Sequence, residues 1–410
     1  MRLRRATRAG IALALPFVLG ASHAGAVPAE RVLDRVAAGH DVSIVVAAAG
    51  ETIYAHDAAT PRTPASVQKV LLTMALFDAL GPGHRITTRV LAQQPADGVV
   101  EDLWIAGGGD PSMVSGPGDA THTGTEDVAR RVVESGVTRI TGRIIADSSL
   151  FDDDWHAPGW QPWSRSFVAR PTALALDGNH SSLPAPALAT ELTRALERRG
   201  ISVRGEPVTG TAPAGIATIA RIHSAPLSAL VARMNATSSN FYAEMLGKLL
   251  GARTFGTPGT IAKGARAVEV WARQRGVNVT SHDSSGLSYT NRLSALDLVR
   301  LLEEARRQPW GPALRASLPG AGRGTLSGRL AGVPVRAKTG TLWSGDSVLA
   351  GWVRLRGGGI AEFAVMAHDE TKSLEDALVR TIEHSVVLPH ARQSVPLHIG
   401  ITGNSPEDEK

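Results

Sequence analysis

Pro64-Ala65-Ser66-Val67-Gln68-Lys69 opens an almost unbroken apolar run that continues to Leu80 and stops at Gly81-Pro82-Gly83. Apolar residues on every side predict a helix that starts near Ser66 and lies deep inside its domain. Residues three apart share a helical face, so the Ser66 hydroxyl and the Lys69 amine point into one space. A serine hydroxyl is a poor nucleophile at its own pKa, and a desolvated amine is a base able to activate it. Only six lysines stand against 37 arginines in the chain. A lysine can lose its proton when buried, which an arginine cannot, so each retained lysine is a candidate for chemistry. Backbone N–H groups at a helix start also suit a developing oxyanion. Taken alone, S-x-x-K reads more simply as an N-cap serine with a snorkelling lysine.

Two further groups change that reading. Lys338-Thr339-Gly340-Thr341 ends an apolar strand, where an ammonium beside a hydroxyl makes a carboxylate receptor and Gly340 lets a substrate backbone approach. Ser238-Ser239-Asn240 falls between two helical patterns, placing a hydroxyl able to relay a proton beside an amide able to hold a peptide carbonyl. S-x-x-K, S-x-N and K-[ST]-G each occur once, in that order.

The remaining composition narrows the class. With 410 residues, 43% apolar and 20% charged, the chain is globular and long enough for two or three domains. It has no cysteine, which excludes disulfide scaffolds, thiolate metal sites, cysteine nucleophiles and cysteine-linked lipid anchors. The formal charge of +5 suggests nucleic acid until it is located. Arg2, Arg4, Arg5 and Arg8 precede an apolar segment at 11–19 and the small-residue site Ala24-Gly25-Ala26. This is the pattern of an export signal over 1–26. Its removal takes four of 43 basic residues and no acid, leaving 39 against 38. A nearly neutral, exported protein with no nucleic-acid partner is expected, in the periplasm or extracytoplasmic envelope. No later run reaches the ~18 apolar residues of a membrane span, so no transmembrane anchor is expected after cleavage.

Along the mature chain, 42–48 and 52–56 flank Gly50-Glu51 as a hairpin. From 96 to 215 the texture changes to Gly-rich breaks and a tryptophan cluster (Trp155, Trp160, Trp163), with helices expected at 126–134 and 186–199 and a strand at 139–146. Helical patterns dominate from 216, at 226–234, 240–250, 260–275 and 293–306. Strands return at 333–338, 347–355 and 360–367 before a last helix at 373–385. The expected organisation is a domain of 27–95 and 216–390 whose sheet joins both ends of the chain, an inserted module at 96–215, and a tail at 391–410. The insert's aromatic residues suit either a substrate-contacting wall or a satellite core.

With these motifs on the page, the chain resembles the serine penicillin-binding proteins and β-lactamases. Within them it is similar to the D-alanyl-D-alanine carboxypeptidase/endopeptidase family, the class C low-molecular-mass penicillin-binding proteins. Gly109-Asp110-Pro111, Met234-Asn235, Asp283-Ser284-Ser285-Gly286-Leu287-Ser288 with Asn291-Arg292, and Leu318-Pro319-Gly320 through Gly324-Thr325-Leu326 extend the match over most of 30–370. The resemblance implies an α/β (α+β) fold: an antiparallel sheet with helices on both faces, plus a smaller inserted module. It implies peptidoglycan stem peptides as substrate and β-lactams as covalent inhibitors, with no metal or organic cofactor. It makes Ser66 the nucleophile, Lys69 its base and Ser238 the proton relay. Asn240, Lys338, Thr339, Gly340 and Thr341 become the substrate-binding set, with the backbone N–H groups of Ser66 and Thr341 at the oxyanion. Ser239 stands where the family usually has Asp, and Tyr289 where it often has Arg. The 172-residue step from Ser66 to Ser238 makes the insert short for the family. A β-lactamase and a non-catalytic peptidoglycan-binding protein remain alternatives. The chain lacks the E-x-x-L-N pattern of class A β-lactamases, and intact Ser66 and Lys69 argue against a mere receptor.

Overall fold

The computed structural model describes residues 29–369 and 372–386. The expected export signal and the 391–410 tail lie outside them.

Val42–Ala48 is buried along all seven residues, as an apolar strand covered on both faces must be. It lies inside a five-stranded sheet with the order Val335–Thr341, Asp346–Arg354, Ile360–His368, Val42–Ala48, Glu51–His56. Every pairing is antiparallel, and Val42 stands opposite Ala367. The sheet therefore joins the two ends of the chain. Side chains alternate between its faces. Val45, Ala47, Val348, Ala350, Trp352, Ala364 and Met366 enter one core with the helix Gln68–Leu80. Ile44, Val46, Leu349, Val353, Phe363 and Val365 enter another with the helices Ala29–Ala37 and Lys372–Ser385. Helices thus cover both faces. Gln68 to Phe77 are all buried, which places that helix at the centre of its layer.

A second five-stranded sheet has the order Val208–Thr209, Ile144–Asp147, Leu103–Ala106, Arg85–Ala92, Ala217–Pro226. The helices Thr125–Glu134 and Pro184–Arg198 close its core. Two of its strands lie outside 96–215, pairing Arg89 with Arg221 and Thr88 with Ile222. Residues 217–226 are thus a strand rather than the start of the helical region. The expected strand at 139–146 divides into Arg139–Ile140 and Ile144–Asp147, which join different sheets. The cause is a turn: Gly142 N–H donates to Glu101 O at 2.6 Å and Arg143 N–H to Asp102 Oδ1 at 2.8 Å.

In segment 152–171, Ala157, Trp160 and Val168 form a small separate core with Ile261. Lys248 fastens it. This wholly buried ammonium donates to Asp152 O at 2.8 Å, Asp154 O at 3.0 Å and Pro171 O at 3.2 Å, and pairs with Asp152 Oδ1 at 2.8 Å. The Asp152-Asp153-Asp154 run supplies two of those carbonyls.

Candidate active site

Ser66 sits in a single 3-10 turn, Ala65–Val67, immediately before the helix Gln68–Leu80. Ala65 holds φ of +44°, a region that side chains bearing a Cβ occupy only under constraint. Two glycines supply the constraint. A Cβ on Gly286 would lie 1.9 Å from Ala65 O, and one on Gly340 would lie 2.9 Å from Pro64 O and 3.1 Å from Ser66 N. The strand carrying Lys338 and the loop carrying Gly286 therefore close against the turn. Gly340, expected to admit substrate, admits this turn of its own chain.

Lys69 is wholly buried one helical turn on. Its Nζ donates to Ser66 Oγ at 2.9 Å, Asn240 Oδ1 at 2.8 Å and Ser285 O at 2.5 Å. Burial lowers its pKa to about 7, partly opposed by the charges of Asp283 and Glu244. An amine near 7 is available as a neutral base at physiological pH.

Ser238 caps the helix Leu227–Thr237 in the left-handed conformation, with φ of +53°. Ser239 then starts the next helix by accepting from Tyr242 N–H at 3.2 Å. This back-to-back pair of caps turns the Ser238 hydroxyl and the Asn240 amide toward Ser66. Across the cleft, Lys338 Nζ donates to Ser238 Oγ at 2.9 Å and Thr339 O at 2.7 Å. Burial, then the nearby charge of Lys69, holds its pKa well below the usual lysine value. Thr339 is half-buried and Thr341 exposed. All the expected residues meet around one cleft.

Ser66, Ser238, Asn240 and Thr341 line a cavity of about 190 Å³ with Trp163, Phe167, Tyr289 and Trp343. Trp163 from segment 152–171 stacks on Trp343 at 5.8 Å between centroids, and Phe167 meets Trp343 edge-on at 5.2 Å. Trp343 remains 71% exposed, so this aromatic roof faces the cleft mouth. Asn240 Nδ2 donates to Phe167 O at 3.0 Å, tying the roof to the second motif.

This arrangement has counterparts. Residues 29–187 and 179–388 match the family described as D-Ala-D-Ala carboxypeptidase 3 (S13). The chain belongs to that family. It is a serine-type D-Ala-D-Ala carboxypeptidase. It is 32% identical over 394 residues to carboxypeptidase DacB of Mycolicibacterium smegmatis, covering 88% of this chain and 81% of the relative. It is 29% identical over 410 residues to a D-alanyl-D-alanine carboxypeptidase of an Actinomadura species, covering 76% and 74%. In fold it matches penicillin binding protein 4 (dacB) of Haemophilus influenzae with a TM-score of 0.71 at 21% identity, covering 86% and 97%.

Beneath the cleft of this S13 carboxypeptidase lie two buried acids that sequence reading did not assign. Asp283 accepts from Trp160 Nε1 (2.8 Å), Gly286 N (2.9 Å), Ser288 N (2.8 Å) and Asn291 Nδ2 (2.8 Å), setting the loop that offers Ser285 O to Lys69. Glu244 accepts from Ser285 N at 2.8 Å and Ser284 N at 3.1 Å. Burial, then Asp283, pushes its carboxyl up to about 8. Glu244 lies four residues after Asn240 on one helical face, a spacing that marks it as a candidate for the same site.

Proposed function

We propose that Ser66 attacks the carbonyl of the penultimate D-alanine in peptidoglycan stem peptides while Lys69 takes its proton. The observation that carries this is the wholly buried Lys69 amine, 2.9 Å from Ser66 Oγ and shifted to about 7. Ser238, hydrogen-bonded to Lys338, relays a proton to the departing D-alanine amine. Asn240 holds the substrate amide once the Phe167 carbonyl gives way. Lys338, Thr339 and Thr341 receive the terminal carboxylate, and Gly340 lets their strand lie against the nucleophile turn. The N–H groups of Ser66 and Thr341 stabilise the tetrahedral oxyanion. Water then releases the shortened peptide from Ser66.

A β-lactam presents a strained amide and a carboxylate to the same groups, so it acylates Ser66. The Haemophilus influenzae protein of this fold is also known in complex with a β-lactam. Peptidoglycan lies outside the cytoplasm, in keeping with an export signal at 1–26. The same cleft serves endopeptidase action when the leaving D-amino acid belongs to a cross-link. No helix among the described residues is long and apolar enough to cross a membrane.

Intact-protein mass spectrometry tests the assignment. Penicillin adds one drug mass to the parent and none to Ser66→Ala, and D-alanine release from a short peptide disappears in the same variant. An adduct retained by Ser66→Ala removes Ser66 from its role. Rapid loss of the parent's adduct with drug turnover favours a β-lactamase.

A further inference from the structure

Away from the cleft, a cavity of about 400 Å³ opens where the helices Ala295–Arg307 and Gly311–Ser317 cross the central sheet. Arg306, Arg315, Arg336, Pro312, Trp352 and Ile360 line it. Strand register explains the convergence. Arg336 stands opposite Trp352, which stands opposite Glu362, and Arg354 stands opposite Ile360 in the next row. Directly opposed residues project from the same side of a sheet, so Arg336 and Arg354 rise on the face that the helices bring Arg306 and Arg315 to meet.

The charges there do not balance. Glu362, wholly buried, is ion-paired with Arg306 at 2.9 Å. Glu303 acts on Glu362 by repulsion. Among the described residues, Arg315, Arg336 and Arg354 have no ion pair; Arg336 donates to Leu318 O at 3.0 Å, and the other two side chains donate to no protein group. Burial, then the neighbouring charges of Arg354 and Arg336, hold the Arg315 guanidinium below its ordinary value, only partly opposed by Glu362. No other described arginine is shifted in that direction.

We propose that Arg306, Arg315, Arg336 and Arg354 form a binding site for a phosphate-bearing anion, separate from the catalytic cleft. A guanidinium offers a planar fork of donors, and one fork saturates a carboxylate. Three or four forks around one hollow suit a tetrahedral group with several anionic oxygens. Glu362 holds Arg306 in place, while the buried Trp352 and half-buried Ile360 supply an apolar floor beneath guanidinium forks that reach solvent. The site contains no residue of the catalytic set, so it takes its ligand while the cleft turns over.

The same phosphate chemistry is offered by a soluble phosphate compound and by an anionic lipid headgroup. The test uses the full chain after export processing, with inorganic phosphate titrated at constant ionic strength and thermal unfolding as readout. Phosphate raises the melting temperature of the parent saturably. Arg315→Gln/Arg354→Gln weakens that response about tenfold or more, because two charge-assisted contacts are lost. Without phosphate the double variant melts at or above the parent, since repulsion has been removed and no hydrogen bond broken. Unchanged penicillin acylation confirms its fold, and the single exposed-site variant Arg354→Gln serves if the double variant does not fold. Flotation with phosphatidylglycerol vesicles, set against phosphatidylcholine, identifies the source. Arginine-dependent flotation assigns a headgroup, and phosphate binding without flotation assigns a soluble compound. A parent with no saturable phosphate response, or a double variant that responds like the parent, overturns the site.

Discussion

Lys69 donates to Asn240 Oδ1 at 2.8 Å, and this bond fixes which way the Asn240 amide faces. With its oxygen held inward, Nδ2 faces outward and meets Phe167 O at 3.0 Å. On the proposed binding mode, an incoming peptide carbonyl finds that donor already aimed. Asn240→Asp loses that donor and sets a carboxylate against Lys69. We expect kcat/KM for a D-Ala-D-Ala peptide to fall by about 10²-fold or more, and the pH profile to move upward because an adjacent anion stabilises the ammonium. An unchanged profile argues against the Lys69–Asn240 contact in solution.

On the proposed mechanism, Lys69 sets the pH dependence of acylation. Its working form is the neutral amine, whose fraction grows as pH rises past its pKa of about 7. Penicillin acylation measured from pH 5 to 10 should climb through neutrality and level off above about pH 8. Lys69→Arg, unable to release its proton, should lose about 10²- to 10⁴-fold. A rate still rising at pH 10 would show an ordinary lysine.

Glu244 tunes that midpoint. Its carboxylate supports the Lys69 ammonium only where it is ionised, and with its own carboxyl pushed up to about 8 that is the alkaline limb of the profile, where its removal lets Lys69 lose its proton more readily. Glu244→Gln keeps an acceptor for the Ser284 and Ser285 N–H groups, and its acylation profile should shift toward acid. A shift toward base contradicts the electrostatic role, and lost activity with an unmoved midpoint assigns Glu244 to loop support alone.

Lys338 links carboxylate binding to proton uptake. Burial depresses its pKa and a bound substrate carboxylate raises it again, so on the proposed binding mode KM should rise with pH across the range in which the free Lys338 loses its proton. Amidating the C-terminus of a short peptide removes a charge-assisted contact of roughly 1.5–3 kcal/mol, or about 10- to 150-fold in kcat/KM. Equal turnover of acid and amide places the carboxylate elsewhere.

The roof depends on Lys248. Lys248→Met leaves Asp152 and three carbonyls without their ammonium, a loss of about 3 kcal/mol by analogy with broken buried pairs. If segment 152–171 shapes the substrate path through Trp163 and Phe167, KM for peptides should rise more than penicillin acylation slows, and Lys248→Arg should restore part of it. A uniform loss toward both assigns Lys248 to stability alone.

Much of this was legible because it is local. Val42–Ala48 and Glu51–His56 declared a hairpin by composition, and Ser66 with Lys69 by spacing. The strand Arg85–Ala92 was passed over although Ile86, Thr88 and Val90 alternate inward, because the neighbouring helical run and Gly-rich breaks dominated the pattern. Its partner Ala217–Pro226 is half-buried at one end, which blurs the period. The aromatic roof was harder still. Trp163 and Trp343 lie 180 residues apart, and only the fold brings the loop of one onto the turn of the other. Lys248 is one of six lysines, but apart from the Asp152 carboxylate its partners are backbone carbonyls, which leave no mark in sequence.

The strand order of the central sheet sets a timetable for synthesis. Val42–Ala48 has Glu51–His56 on one side at once, but the partner on its other side, Ile360–His368, emerges roughly 300 residues later. At ribosomal speeds of about 5–20 residues per second, that is on the order of 15–60 s with one edge of a strand apolar but for Ser43 left unpaired. Such an edge is a template for aggregation. The nascent chain therefore gains from a holdase that covers its first hairpin, and truncated products ending before Ile360 should be the ones that cells fail to keep in solution.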